Sequence, residues 1–219
     1  MKNSLIIIFI IGFLFSCKKE DESVIDYPVS LYTSEISHVS DIRMFVGGNE
    51  TKDCEKILEF IKNTNCFNLP NVLDMSSEPI IFHTNDSVVF GTNNLNSFNV
   101  QKNGKQILFY STYPVYVYEN DIVRPLLKYT DELGLQVLIP SFPWGFVIAH
   151  RTKEIRVGYG AIYNLEMCFF AYKISKNTNY SKQLAWGTQS NEFNDEMLNS
   201  LQVTDTVAIQ EYRIRFVTK

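Results

Sequence analysis

From residue 41 to residue 216 the chain returns repeatedly to one pattern, apolar residues at alternate positions interrupted by Gly, Asn and Asp. Alternation with period two sends successive side chains to opposite faces, so it dictates strands. Within 41–46, Ile42, Met44 and Val46 share one face and Asp41 and Arg43 the other, before Gly47, Gly48 and Asn49 stop the strand. IIFH at 80–83 and SVVFG at 87–91 flank Thr84, Asn85 and Asp86 as a hairpin. Phe98 and Val100 alternate with Asn99 and Gln101, and Asn103 with Gly104 predicts a type I′ turn into QILFYS at 106–111. YPVYVYE at 113–119, LQVLIP at 135–140, FVIAHR at 146–151 and EIRVGYG at 154–160 continue the series. EMCFFAYKI at 166–174 is apolar on both faces, which places it centrally in a sheet.

Three stretches depart from this pattern. DCEKILEFIKN at 53–63 reads as a helix that turns Cys54, Ile57, Leu58 and Ile61 towards the core. A second helix is expected from a cap at Asn120 or Asp121 to Gly134, with Pro125 in its first turn and Ile122, Leu126, Tyr129 and Leu133 along one side. A short third one at 192–201 would rest on Phe193, Met197 and Leu201. In the last strand Val207 and Ile209 are on one phase and Tyr212, Ile214 and Phe216 on the other, so a bulge or bend near Gln210 and Glu211 is expected. The whole predicts a mainly β protein of about nine or ten strands, an antiparallel β-barrel or sandwich with two or three short helices, a lipocalin-like barrel being one form.

The N-terminal residues are of another kind. Lys2 precedes an apolar run at 5–15 that lacks the polar stripe of a packed helix and falls short of the ~20 residues needed to span a bilayer. Leu14, Phe15, Ser16 and Cys17 resemble the bacterial lipoprotein signal, which implies cleavage before Cys17 and acylation of its thiol, several chains giving stable attachment. Lys18, Lys19, Glu20, Asp21 and Glu22 resemble the export tag of Bacteroidota surface lipoproteins, and Lys18 is not the aspartate that retains many lipoproteins in the inner membrane. The resemblance implies an outer-membrane protein, lipid-anchored at the cell surface; a charged tether that is merely solvated is the alternative. The layout is then a signal peptide at 1–16, a lipidated tether at 17–27 and one β-rich domain at 28–219. That domain's DIRMFV, DCEKILEFIKN, SVVFG and NVQKNGKQILFYS resemble a group of uncharacterised Bacteroidota lipoproteins, which implies fold and address but no activity.

Twenty Lys plus Arg oppose 24 Asp plus Glu, a net charge of −4 with no basic block, which disfavours nucleic acid as a partner. Besides Cys17 there remain Cys54, Cys66 and Cys168. If 53–64 is helical, Cys54 and Cys66 stand roughly 18 Å apart, too far for a disulfide, so buried free thiols are expected. His38, His83 and His150 are the only imidazoles, none at metal-site spacing, and no nucleophile, Walker or dinucleotide motif is present. No metal, cofactor or catalytic residue is therefore assigned, although paired carboxylates leave no sequence rule and Glu166, beside MCFFAY, is the acid most open to a raised pKa.

The functional lead is aromatic. SFPWGF at 141–146 places Phe142, Trp144 and Phe146 around Pro143 and Gly145 in a loop, and Trp186 stands in LAWGTQ. Exposed aromatic rings stack on sugars or anchor protein interfaces. The leading expectation is a non-catalytic binding module for a glycan or an outer-membrane protein, with a carrier of a small apolar ligand and a hydrolase using two carboxylates as alternatives.

Overall fold

The computed structural model describes residues 25–68, 78–93, 96–118, 121–141, 145–177 and 181–219. The chain opens with β1 (Val29–Val39), β2 (Arg43–Val46), β3 (Asn49–Thr51) and the helix α1 (Cys54–Ile61). Two hairpins follow, β4 (Ile80–Thr84) with β5 (Ser87–Phe90) and β6 (Ser97–Asn103) with β7 (Gln106–Ser111). Next come β8 (Val115–Tyr118), β9 (Asp131–Ser141), β10 (Gly145–Lys153) and β11 (Ile155–Ala161). The chain ends with β12 (Asn164–Asn177), β13 (Lys182–Gln189) and β14 (Thr206–Thr218).

Eight strands close on themselves. In chain order β1, β4, β5, β6, β7, β11, β12 and β14 each pair antiparallel with the next, and β14 returns to β1. The architecture is thus a barrel and not a sandwich, wound as a meander that leaves no free edge in the closed part. Its near end holds the start of β1 and the tip of the β6–β7 hairpin. Its far end holds Ile80, Phe90, Ser111 and Ile155.

Past the far end the longest strands keep going. The outer halves of β12 and β14 recruit β13 on one side and β2 with β3 on the other. On the opposite wall β7 leads towards β8, and β10 runs into β11 across Glu154 alone. There β8, β10 and β9 form a separate three-stranded sheet.

Two cores result. Leu31, Ile80, Phe82, Phe98, Phe109, Leu165 and Ile214 belong to the barrel core, while Phe45, Leu126, Phe170, Phe193 and Val207 form a second one beyond it. This arrangement replaces the bulge expected in β14. The β12–β14 register is unbroken from Asn164 opposite Val217 to Ser175 opposite Thr206. Tyr212, Ile214 and Phe216 face the barrel core and Val207 and Ile209 face the second core, so the change of phase marks a strand serving two cores.

Other expectations need correction. The second helix is only a 3-10 turn at Arg124–Leu126, and Leu133 and Gly134 already belong to β9. Pro125 is the second residue of that turn, but from Leu133 onward alternation competes with helical spacing, and pairing with β10 rewards the strand. The third helix is a 3-10 turn at Asp195–Ser200, with Phe193, Met197 and Leu201 buried as expected. In α1, capped by Asp53 on the Lys56 amide, no residue is fully buried, and Leu58 and Cys54 are exposed. Its Phe60 instead meets Lys173 of β12, whose ammonium sits 5.3 Å from the ring centroid. Met44 and Phe45 rather than Met44 and Val46 are buried in β2, because that strand is covered on both faces. The turn after Asn103 is Gly104–Lys105, since Asn103 pairs with Gln106; only Gly104 has positive φ (59°), the type II′ signature.

Candidate functional site

The β9–β10 hairpin carries the most conspicuous exposed apolar surface. Its register sets Phe146 opposite Pro140 and Ile148 opposite Leu138, so the four share one face. Leu138 and Phe146 are 63% and 68% exposed, and Ile148 38%. A cluster of this kind on one strand face differs from scattered surface leucines. The other face of the same sheet carries exposed Tyr116 and Tyr118 of β8, opposite Arg151 and Ala149. β9 is the outer strand of this sheet, so its far edge pairs with no other strand among the described residues.

The base of the hairpin is pinned to the barrel. Ser111 N donates to the Glu154 carbonyl at 2.9 Å and Glu154 N to Ser111 Oγ at 2.9 Å, while Thr152 Oγ1 donates to the Asp131 carbonyl. Arg124 bonds Glu132 at 2.9 Å beside it. Nine residues of β10 at about 3.3 Å each carry the tip roughly 30 Å from that anchorage.

Of the aromatic residues singled out in sequence, Phe142 and Trp144 lie outside the described residues, as do Cys17 and the charged run Lys18, Lys19, Glu20, Asp21 and Glu22. Phe146 is in β10 rather than in a loop. Trp186 is likewise a strand residue, in β13, opposite Lys173 of β12 and 52% exposed. It belongs to the large sheet and Phe146 to the small one, so the two do not share a sheet. At Lys173 an open depression of about 450 Å³ is lined also by Met44, Phe60, Lys182 and Leu184.

Glu166 proves not to be a buried acid. It pairs with Tyr159 and Arg215 across the sheet and lies 4.0 Å from Arg213 and 3.8 Å from Arg215, on the outer side of the barrel wall. The acids that do converge are Glu192 and Glu211, at a cleft of about 260 Å³ shared with His38, Cys168 and Arg213. No spacing rule could have linked 192 with 211. Burial pulls the Glu192 pKa up, but hydrogen bonds from Lys128 (2.6 Å) and Tyr159 outweigh it and hold the carboxyl below its ordinary value. Burial first, then Asp195, pushes Glu211 the other way. Burial also lifts the Cys168 thiol to about 12, while Cys54, Cys66 and Cys168 are all free. Cys54, contrary to expectation, is exposed.

The Glu192 pair has a definite pH signature. A depressed carboxyl pKa contributes stability that is fully present above the unfolded value, near 4.5, and lost as pH falls through the folded one. Thermal melts of the protein and of Glu192→Gln should therefore differ fully above about pH 6 and converge only as pH falls below 4.5 through the depressed pKa. A gap that persists at acid pH would assign the effect to packing.

His38, His83 and His150 lie on β1, β4 and β10, and no cluster of metal-ligating side chains occurs among the described residues. No helix there is long and apolar enough to cross a membrane. The fold and surface together define a closed eight-stranded meander barrel with a projecting apolar hairpin. No protein-family model, curated protein or solved structure matches this chain.

Proposed function

We propose that the protein is a non-catalytic binding module, lipid-anchored at the outer membrane, that engages another envelope protein through the β9–β10 hairpin. The observation that carries this reading is the exposed quartet Leu138, Pro140, Phe146 and Ile148 on one strand face. Burying such a face on a partner removes apolar area from water, and the open edge of β9 offers main-chain hydrogen bonds for an added strand. Position supports it too. The start of β1, which follows the tether, is at the near end of the barrel, and the hairpin leaves from the far end. An anchor at Cys17 would therefore leave the apolar face pointing away from the membrane. A second reading, a glycan stacked on Trp186 near the lysines of the neighbouring depression, rests on that exposed ring.

The test is a photo-crosslinking residue placed in intact cells at 138 or 146, with Lys102 on the exposed part of β6 as control position. A discrete adduct from 138 and 146 but not from 102 is expected. A Leu138→Ser, Phe146→Ser double variant should lose binding with a melting temperature almost unchanged, since both side chains are exposed. Equal labelling from all three positions would defeat the hairpin reading, and loss of binding in Trp186→Ala instead would favour the glycan.

A further inference from the structure

The barrel core leaves room at the far end. A cavity of about 170 Å³ lies there, walled by Ile80, Phe90, Met167, Phe169, Ile214 and Phe216. A dry cavity of ~150 Å³ lined by such side chains takes up benzene, so this one accommodates a phenyl ring or a branched aliphatic chain. Eight-stranded barrels are just wide enough either to fill with side chains or to keep one small ligand.

Its polar lining is specific. Tyr212 stacks on Phe169 with ring centroids 5.6 Å apart, is 2% exposed, and its buried hydroxyl has no hydrogen-bond partner. That hydroxyl is closed off from the cavity, so Tyr212 contributes its ring to the wall and the charged groups come from Arg156 and Glu78. Arg156 pairs across the sheet with inward-facing Phe109, so it too turns inward; its guanidinium lies 4.4 Å and 4.6 Å from the ring centroids of Phe90 and Phe98. Its Nε is engaged by Glu154, at 2.8 Å, and the terminal nitrogens retain the fork geometry that suits a carboxylate. Glu78 lines it too, beside Thr188 and Ser190, its carboxylate occupying the space a side chain at Gly91 would fill. A ligand with one charge meets one partner and one opponent here. A zwitterion meets two partners.

We propose that this cavity binds a small zwitterion with an apolar side chain, an α-amino acid of leucine or phenylalanine size. The side chain fills the apolar well, the carboxylate faces Arg156, and the ammonium faces Glu78. The site is separate from the hairpin and stands or falls independently of it.

Calorimetric titration of the full-length protein with L-phenylalanine, L-leucine, phenethylamine and 3-phenylpropanoate tests the assignment. Saturable binding of both amino acids is expected, with affinities at least about ten-fold weaker for the amine without its carboxylate and the acid without its ammonium. Glu78→Gln should weaken L-phenylalanine while leaving 3-phenylpropanoate no weaker. Arg156→Gln should weaken L-phenylalanine and 3-phenylpropanoate about ten-fold while leaving phenethylamine no weaker. Absence of binding by all four compounds would overturn the proposal. So would equal affinity for L-phenylalanine and 3-phenylpropanoate, or unchanged L-phenylalanine affinity in a folded Arg156→Gln.

Discussion

A Cys17→Ala variant is expected to leave the membrane fraction and appear wholly in the soluble one. Each buried methylene of an acyl chain contributes about 0.8 kcal/mol, one chain holds a protein only marginally, and several hold it stably. In the proposed lipoprotein all of that attachment depends on the Cys17 thiol and amine, so the substitution removes every chain at once. The geometry adds a second readout. Ile25 already packs against the barrel core, eight residues past Cys17, so the tether reaches at most roughly 28 Å. A lipid on Cys17 would thus hold the near end of the barrel close to the bilayer, with the hairpin extending in the other direction. Protease added to intact cells should reach a site engineered beside Phe146 in the parent protein. Membrane retention of Cys17→Ala would refute the anchor, and protection of the engineered site would place the protein on the inner leaflet.

Legibility in the sequence follows how local each signal is. The β4–β5 and β6–β7 strand pairs are legible because their alternation and turn residues lie within a few positions of each other, although the second turn falls one residue later than expected. The central place of β12 is legible from residues apolar on both faces. β1 is hidden, because two register shifts, between Thr33 and Glu35 and between Ile36 and His38, break its alternation. Only the start of β9, residues 131–134, is masked by Ile122, Leu126, Tyr129 and Leu133, whose spacing imitates a helix; LQVLIP at 135–140 is read as a strand. The phase change in β14 is visible as a pattern, but its cause is a second core assembled from distant residues such as Phe45 and Phe193. The candidate surface is legible only as aromatic content around 141–146. Its exposure depends on the pairing that aligns Leu138 with Ile148, and neither the Tyr212 cavity nor the Glu192 cluster has any local signature.

Phe109→Ala is expected to lower folding stability by about 3–5 kcal/mol, the range for deleting a fully buried aromatic side chain. Phe109 is 0% exposed in β7. It meets Phe90 edge-on at 5.4 Å and 89°, and Phe82 at 6.2 Å. Truncation loses the transfer of the ring from water, these aromatic contacts, and the packing of whatever remains around the hole. The hydrogen-bonded closure of the barrel restrains collapse, because moving one strand inward shifts its partners on both sides. Urea unfolding should show the midpoint falling with an unchanged slope, and Leu58→Ala, exposed on α1, should change it by no more than about 0.5 kcal/mol. The size of the Phe109 effect also bears on the cavity. A loss below about 1 kcal/mol would mean that the aromatic side chains line a hydrated lumen. The far-end cavity would then be part of a wider open channel, with no enclosed well to select an amino acid by size.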